Sequence, residues 1–201
     1  WHELNGLIFE AFRHAAAAND VERAERLIEN RAIGLHFRSV AMPVLDWLAS
    51  LPDAVLDAHP LLRVRSATLA LMAGQTTGVE ERLLAAENVL RRGDPDENIR
   101  DLFGQIACAR ATLAATRYDA GAMVTQAHRA LECLRADNLT FRFTANWVLS
   151  CALMLQGDRA EAARACRESI AIGQTVFSKT LAISTLGELQ EMDNQLHQAM
   201  E

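Results

Sequence analysis

Apolar residues recur at intervals of three and four along most of the chain, the spacing that places side chains on one face of an α-helix. Short polar breaks interrupt the pattern at Asn19-Asp20, Gly74-Gln75, Tyr118-Asp119 and Gly157-Asp158. Each break joins two apolar-periodic segments of helical length, which is the pattern of a helical hairpin. Because the pattern recurs, we predict an array of antiparallel helix pairs, an architecture that builds binding surface rather than an active site.

Prolines set the expected boundaries in the first half of the chain. We expect the helix after the first hairpin to begin near Pro43, where a missing N–H is tolerated in a first turn, and to stop before Pro52. The sequence LPDAVLDAHP then lies between two prolines and has room for only a turn or two of helix. The next helix should begin at Pro60 and end at Gly74, because glycine is the usual residue after a helix C-terminus.

Three later segments carry helix-start signals. Thr77-Gly78-Val79-Glu80 fits a capping box, in which the threonine and glutamate side chains satisfy free backbone donors. Asp94-Pro95-Asp96-Glu97 combines an N-cap residue, proline at the first helical position and acidic residues in the first turn. Ser178 can cap a last helix. We expect the packing partner of that helix to lie beyond Glu201, which would leave this end exposed or covered by a neighbouring molecule.

The predicted fold is all-α, a TPR-like right-handed superhelix of antiparallel helical hairpins, with about ten helices in a single domain over residues 1–201. The turn-to-turn interval is about 40 residues, longer than the 34 of the tetratricopeptide repeat, so the repeat is a divergent one. Small or apolar residues follow the tetratricopeptide spacing at Ser150, Leu153, Gly157, Ala162, Cys166 and Ser169.

Composition excludes several classes of function. The chain has 201 residues, half of them hydrophobic, and a formal net charge of −6, which argues against a surface that binds nucleic acid directly. Apolar runs are far shorter than the roughly 20 residues that cross a bilayer, so we expect no membrane association. The N-terminus begins inside a helical pattern and shows no secretion signal. We therefore expect a cytoplasmic fragment of a longer protein.

The four cysteines point in the same direction. Cys108, Cys133, Cys151 and Cys166 lie among apolar helix residues without a C-x-x-C pair, where a free cysteine behaves as a small hydrophobe. This favours a reducing compartment over a disulfide framework. Cys151 and Cys166 flank the turn at Gly157, so they are the one pair that could approach each other.

Catalytic and metal chemistry is not indicated. The six histidines do not pair at metal-ligand spacing, and the acid clusters fall at predicted helix starts, where the helix dipole favours negative charge. No nucleophile elbow and no phosphate-binding loop occurs in the sequence. We therefore expect no enzyme activity, no catalytic residue, no bound metal and no cofactor in this fragment.

Two features are candidates for ligand contact. Arg110 lies on an apolar helical stripe, where its charge requires a partner; a neighbouring acid is the simpler partner and an anionic ligand the alternative. The second candidate is a helical face that combines aromatic, amide and guanidinium groups, a set that suits a sugar or a small polar metabolite. An ordinary core stripe with polar neighbours would give the same pattern. This face consists of Phe143, Trp147, Cys151 and Met154, with Arg142 and Asn146 beside it.

Two segments carry a family resemblance. WHELNGLIFEAFRHAAAANDVERAERLIE, residues 1–29, is similar to the helical stretch that follows the ATPase part of the MalT-like, LuxR-type large ATP-dependent transcription activators of bacteria. WLASLPDAVLDAHPLLRVRSATLALMAGQ, residues 47–75, is similar to that family's W-L-x-x-L-P segment and the proline-led helix after it. Together they cover about the first 75 residues, and the remainder matches as generic repeat.

The resemblance implies a regulator with an N-terminal ATPase, a central superhelix that senses an inducer and a C-terminal DNA-binding domain. Only the superhelix is present, so its expected role is the signal-sensing and interaction module. The expected partner is a small-molecule inducer, or a peptide or protein, in a concave groove lined by Arg110, Arg142, Asn146 and Trp147. The alternative is a TPR-like protein-interaction scaffold or oligomerisation domain without a small-molecule ligand, and self-association belongs to this second possibility.

Overall fold

The computed structural model describes residues 5–30, 33, 35, 38–93 and 96–200, and within them the regular secondary structure is α-helical without a strand. The predicted all-α, TPR-like fold is confirmed. The described helices are α1 (Ile8–Ala17), α2 (Val21–Ile28), α3 (Arg38–Ser50), α4 (Asp53–Ala58), α5 (Pro60–Met72), α6 (Val79–Leu90), α7 (Glu97–Ala115), α8 (Ala120–Cys133), α9 (Leu139–Gln156), α10 (Arg159–Ile172) and α11 (Val176–Met200).

The chain divides into two compact units, Trp1–Arg92 and Gly93–Glu201. The first unit holds α1 to α6 and the second holds α7 to α11. The prediction of a single domain over residues 1–201 depends on how the two units are joined, and it stays a prediction.

Three of the predicted hairpin turns share one local design. Asn19-Asp20, Tyr118-Asp119 and Gly157-Asp158 each begin with a residue in the left-handed backbone region, at φ 54°, 54° and 83° respectively. The aspartate that follows accepts a hydrogen bond from the backbone N–H three residues later, at 3.1, 3.0 and 3.2 Å. The left-handed residue ends one helix and the aspartate caps the next, so two residues are enough to reverse the chain.

In the first unit, one predicted helix boundary is wrong and two predictions are confirmed. The helix expected to begin near Pro43 begins at Arg38 and contains Pro43, so the predicted start is wrong. One proline removes a single intrahelical hydrogen bond, and burial of Val44, Leu45 and Leu48 outweighs that loss. The short connector helix is α4, and the helix led by Pro60 ends just before Gly74, as predicted.

The predicted cap of α6 is wrong. The N-cap is Gly78, in the left-handed region at φ 73°, and no side chain caps this helix. The capping box led by Thr77 therefore does not form, because it would need Gly78 as the first helical residue in the right-handed region, whereas Gly78 is left-handed and the helix begins one residue later.

Two other caps lie a few residues from their predicted positions. The N-cap of α7 is Asp96, whose side chain accepts from the N–H of Ile99 at 2.7 Å, whereas Asp94 and Pro95 lie outside the described residues. The last helix is capped by Thr175 and not by Ser178. Each of these two side chains accepts the backbone N–H of the other, so Ser178 is the third helical residue of a reciprocal box.

Aromatic and ionic contacts hold the first hairpin in its unit. The ring of Phe12 on α1 meets Trp47 on α3 edge-on, with centroids 5.4 Å apart. From α2, Glu25 pairs with His59 at 2.7 Å, and Glu29 pairs with Arg65 at 2.6 Å. These contacts join segments more than thirty residues apart in sequence.

Small side chains form the core of the second unit. Because Gly104 on α7 has no side chain, it lies close to the backbone of Leu134. A Cβ added to Gly104 would lie 2.8 Å from the backbone nitrogen of Leu134. Two buried clusters join α7, α8 and α9, and the larger one also reaches α10. Their buried members are Ala107, Cys108, Ala111, Ala114, Met123, Ala127, Ala130, Leu134, Phe141, Ala145, Val148, Leu149, Ala152 and Ala165.

Candidate ligand-binding face

One side of α9 is half-buried and combines ring, hydroxyl and sulfur groups. We call it the α9 face; it consists of Thr144, Trp147, Cys151 and Met154. The spacing of three, four and three residues places these side chains on one side of the helix. A partly open surface with an aromatic ring and few polar groups is suited to stacking against a small molecule or an apolar side chain.

Trp147 is the central residue of the α9 face. Its indole N–H donates to the hydroxyl of Thr185 on α11 at 3.1 Å, which satisfies the one polar group of the ring. The rest of the ring packs against two clusters of buried side chains, one of which includes Ala182 of α11. Any group that displaces the ring therefore also changes the packing of α9 against α11.

The sequence pattern placed Phe143 on the α9 face, but in the structure Phe143 does not belong to it. It is buried and packs with Cys166 of α10 and Ala182 of α11. Residues four apart on a helix are offset by about 40°, and at Phe143 that offset is enough to move the ring from the surface into the core.

Arg142 has a role within the protein. Its guanidinium donates to the backbone carbonyls of Leu131 and Leu134 at 3.1 and 3.2 Å. These carbonyls lie at the C-terminal end of α8, where free acceptors and the helix dipole favour a cation. Arg142 therefore caps α8 from α9.

The other two predicted contact residues, Asn146 and Arg110, lie on different helices. Asn146 is buried on α9, next to Trp147 in sequence. Arg110 lies half-buried on α7 and already interacts with another group of the protein. Three of the four predicted contact residues thus share α9, and the fourth is on a different helix. Their binding of a ligand stays a prediction.

A buried carboxylate that the sequence pattern did not single out fixes the start of α9. Asp101 on α7 accepts from the backbone N–H of Arg135 at 2.7 Å, from Asn138 Nδ2 at 2.8 Å and from Gln105 Nε2 at 2.9 Å. The side chain of Arg135 also bonds Asp137 and Asn98. We call this set the Asp101 cluster.

The Asp101 cluster positions the α9 face. The connection between α8 and α9 contains both Arg135 and Asn138, so its path is set by one carboxylate of α7. An aspartate four residues before a glutamine on a helix was the only local signal, and that pair alone also fits an exposed helix surface.

The four cysteines are free, and burial keeps the thiols of three of them protonated at neutral pH. Burial raises the pKa of Cys108 to about 12. Burial and the nearby Cys166 raise the pKa of Cys151 to about 11. Burial also raises the pKa of Cys166. Nucleophilic chemistry needs a thiolate, so none of these three residues is an activated nucleophile.

In the described part of the chain, no three histidine, cysteine or acidic side chains are grouped to hold a metal ion. His2, His36 and the side chain of His197 lie outside that part. Among the helices of the described ranges, none has the length and apolar character needed to cross a membrane.

Comparison with known proteins gives one family. Residues 104–201 match the family model described as the MalT-like TPR region, which covers the helices from within α7 to the end of the chain. No curated protein and no solved structure matches the chain. The predicted family is thus confirmed, but over a different part of the chain from the first 75 residues that carried the resemblance. Residues 104–201, which include the helices α8 to α11 and the α9 face, are a MalT-like TPR region.

Proposed function

We propose that this chain is the signal-sensing and interaction module of a MalT-like, LuxR-type transcription activator, and that a small-molecule effector binds at the α9 face. The observation that carries the proposal is the position of Trp147. Its ring is half-buried within the matched family region, and its indole N–H is bonded to the following helix. This position couples an accessible surface to the packing of two helices.

The proposed mechanism is a population shift. A ligand that stacks on the ring of Trp147 favours one arrangement of α9 against α11 over another, in proportion to its difference in affinity for the two. The Trp147–Thr185 hydrogen bond is the contact through which that difference reaches α11. The remaining parts of the regulator would then read the change.

The chemistry of the face favours a sugar or another neutral polar metabolite over a strong anion. The ring supplies a stacking surface, and the hydroxyl of Thr144 donates to its own helix at 3.2 Å while its oxygen can still accept. The guanidinium of Arg142, on the same helix, is engaged with α8, so it offers little charge to an anion.

The test is a thermal-shift screen of the chain with sugars, oligosaccharides, organic acids and nucleotides. A ligand at about 100 times its dissociation constant stabilises the protein by about 2.7 kcal/mol, which raises the Tm by roughly 5 to 10 °C for a domain of this size. We expect a neutral sugar or a similar polar compound to give such a shift, and Trp147→Ala to remove it. Trp47→Ala, in the first unit, is the matched control.

A second function is a scaffold that binds a protein partner without a small molecule. The repeat fold favours it, since TPR-like domains generally mediate protein interactions. In that case no compound of the panel shifts the Tm. Trp147→Ala should instead weaken the binding of the chain to the regulator domains that are its partner. A compound shift that survives Trp147→Ala would place the ligand elsewhere and remove the site assignment.

A further inference from the structure

Helix α11 meets α9 at successive helical turns. Phe143 of α9 packs with Ala182 of α11. The indole N–H of Trp147 donates to the hydroxyl of Thr185 at 3.1 Å. The residue numbers rise together along both helices, so α9 and α11 run in the same direction, and one turn separates the two contacts.

The next turn of each helix places Cys151 opposite Glu188. Cys151 lies four residues after Trp147, and Glu188 lies three residues after Thr185. The electrostatics of the thiol agree with this register, because burial raises the pKa of Cys151, and Cys166 and Glu188 raise it further. Glu188 is exposed, so its carboxylate stands at the open edge of the α9 face.

Two contacts with α10 hold α11 on either side of Glu188. The thiol of Cys166 donates to the carbonyl of Ala182 at 3.0 Å. The guanidinium of Arg159 donates to the carbonyl of Met192 at 3.4 Å. The position of Glu188 beside α9 is therefore set by contacts among α9, α10 and α11.

The charge beside the ring of Trp147 is negative. Glu191 follows Glu188 by about one turn and is also exposed. Residues 180–196 of α11 include three acidic residues and no basic one. On α9 the single basic residue is Arg142, whose guanidinium is bonded to carbonyls at the end of α8. A ligand at the α9 face therefore meets acidic groups rather than basic ones.

We infer that Glu188 is the specificity-determining residue of the α9 face, and that the effector it selects is a sugar that carries an amine. This assignment rests on the proposed function and adds a charge preference that the α9 face does not have by itself. The sugar ring stacks on Trp147, whose π-face also attracts a positive charge. About 6 Å further along the helices, which is four residues of rise, the ammonium group donates a charge-assisted hydrogen bond to Glu188.

The same carboxylate disfavours an acidic ligand. An anion in this position meets a like charge at short range, and the half-buried ring of Trp147 limits the screening by water. The expected order of affinity is therefore amine-bearing sugar, neutral sugar and acidic sugar.

The test compares glucosamine, glucose and glucuronate, three pyranoses of similar size that carry a positive charge, no charge and a negative charge at about pH 6.5. Dissociation constants for the whole chain are obtained from the rise of the Tm with sugar concentration. We expect glucosamine to bind about tenfold more tightly than glucose, the ratio for one charge-assisted hydrogen bond at a partly exposed site. Glucuronate should bind more weakly than glucose.

Glu188→Gln keeps the size of the side chain and removes its charge. This variant should bind glucosamine and glucose equally, and Glu188→Lys should reverse the order so that glucuronate binds best. Glu132→Gln is the matched control, since it removes the same charge from an exposed position of α8 and should keep the tenfold ratio. Both positions are exposed, so the Tm without sugar should stay that of the parent chain in all three variants.

The possible failures are distinguishable. Equal affinity of the parent chain for glucosamine and glucose overturns the assignment of Glu188 and leaves the effector site in place, and so does a tenfold ratio that survives Glu188→Gln. A Tm that responds to another compound of the panel, but to none of the three sugars, also overturns this assignment alone. A Tm that responds to no compound at all overturns the proposed effector site and the assignment together.

Discussion

Replacing Asp101 with alanine should destabilise the second unit more than any single surface substitution. The carboxylate is buried and accepts three hydrogen bonds, at 2.7, 2.8 and 2.9 Å. A hydrogen bond to a charged group contributes about 1.5 to 3 kcal/mol, and the three contributions are not additive because they share one acceptor. We expect a loss of about 3 kcal/mol, the scale of a broken buried network.

The assay is thermal unfolding followed by far-UV circular dichroism, in parallel with the fluorescence of Trp147 in a background that lacks the other two tryptophans. For a chain of this size, a loss of about 3 kcal/mol lowers the Tm by roughly 6 to 12 °C. The Tm measured by Trp147 fluorescence should fall by this full amount, because Trp147 lies on α9 and the Asp101 cluster sets the start of that helix. The first unit, which holds α1 to α6, should unfold at an unchanged Tm.

Asp137→Ala is the matched control. Asp137 lies in the same connection and bonds Arg135, but its side chain is 67% exposed. Exposed ion pairs are screened by water and salt, so this variant should leave the Tm within the error of the scan. If Asp101→Ala and Asp137→Ala shift the Tm equally, the Asp101 cluster does not position α9 and the reasoning is refuted.

Three further predictions concern single positions in the second unit. Gly104→Ala should destabilise by about 1 to 2 kcal/mol in urea unfolding, because the new methyl group meets the backbone of Leu134 and overpacking outweighs the better helix propensity; a neutral result would contradict the close approach. Tyr118→Gly should stabilise by about 0.5 to 1 kcal/mol, since φ 54° is strained for tyrosine and free for glycine; a lower Tm would show that the exposed ring makes a contact of its own. Because burial raises the pKa of Cys108 to about 12, its stabilising contribution is complete below the ordinary thiol pKa of 9.0 and is lost as the pH rises from there toward about 12. The Tm should fall across that window, and Cys108→Ala should reduce the fall.

Local chemistry made the hairpin turns predictable. Asn19-Asp20, Tyr118-Asp119 and Gly157-Asp158 combine a residue in the left-handed region with a capping aspartate, and both preferences act within four residues of the chain. The helix starts were harder to place because Asp94 and Asp96, or Thr175 and Ser178, are competing caps a few residues apart. Which one is used depends on where the helix packs.

The site was less predictable than the turns, because its contacts are distant in sequence. Asp101 finds Arg135 and Asn138 more than thirty residues away, and Trp147 finds Thr185 at a similar distance. A helical face can be recognised from its spacing. Whether Phe143 lies at its edge or in the core depends on the neighbouring helix, and the spacing within α9 does not contain that information.

The most direct test of the effector proposal is amide hydrogen exchange of the chain with and without the compound that raises its Tm. Binding at the α9 face predicts slower exchange in α9 and α11, with little change in the helices of the first unit, because Trp147 and Thr185 join those two helices. Protection confined to α1–α6, or no protection in α9, would contradict an effector site on this face.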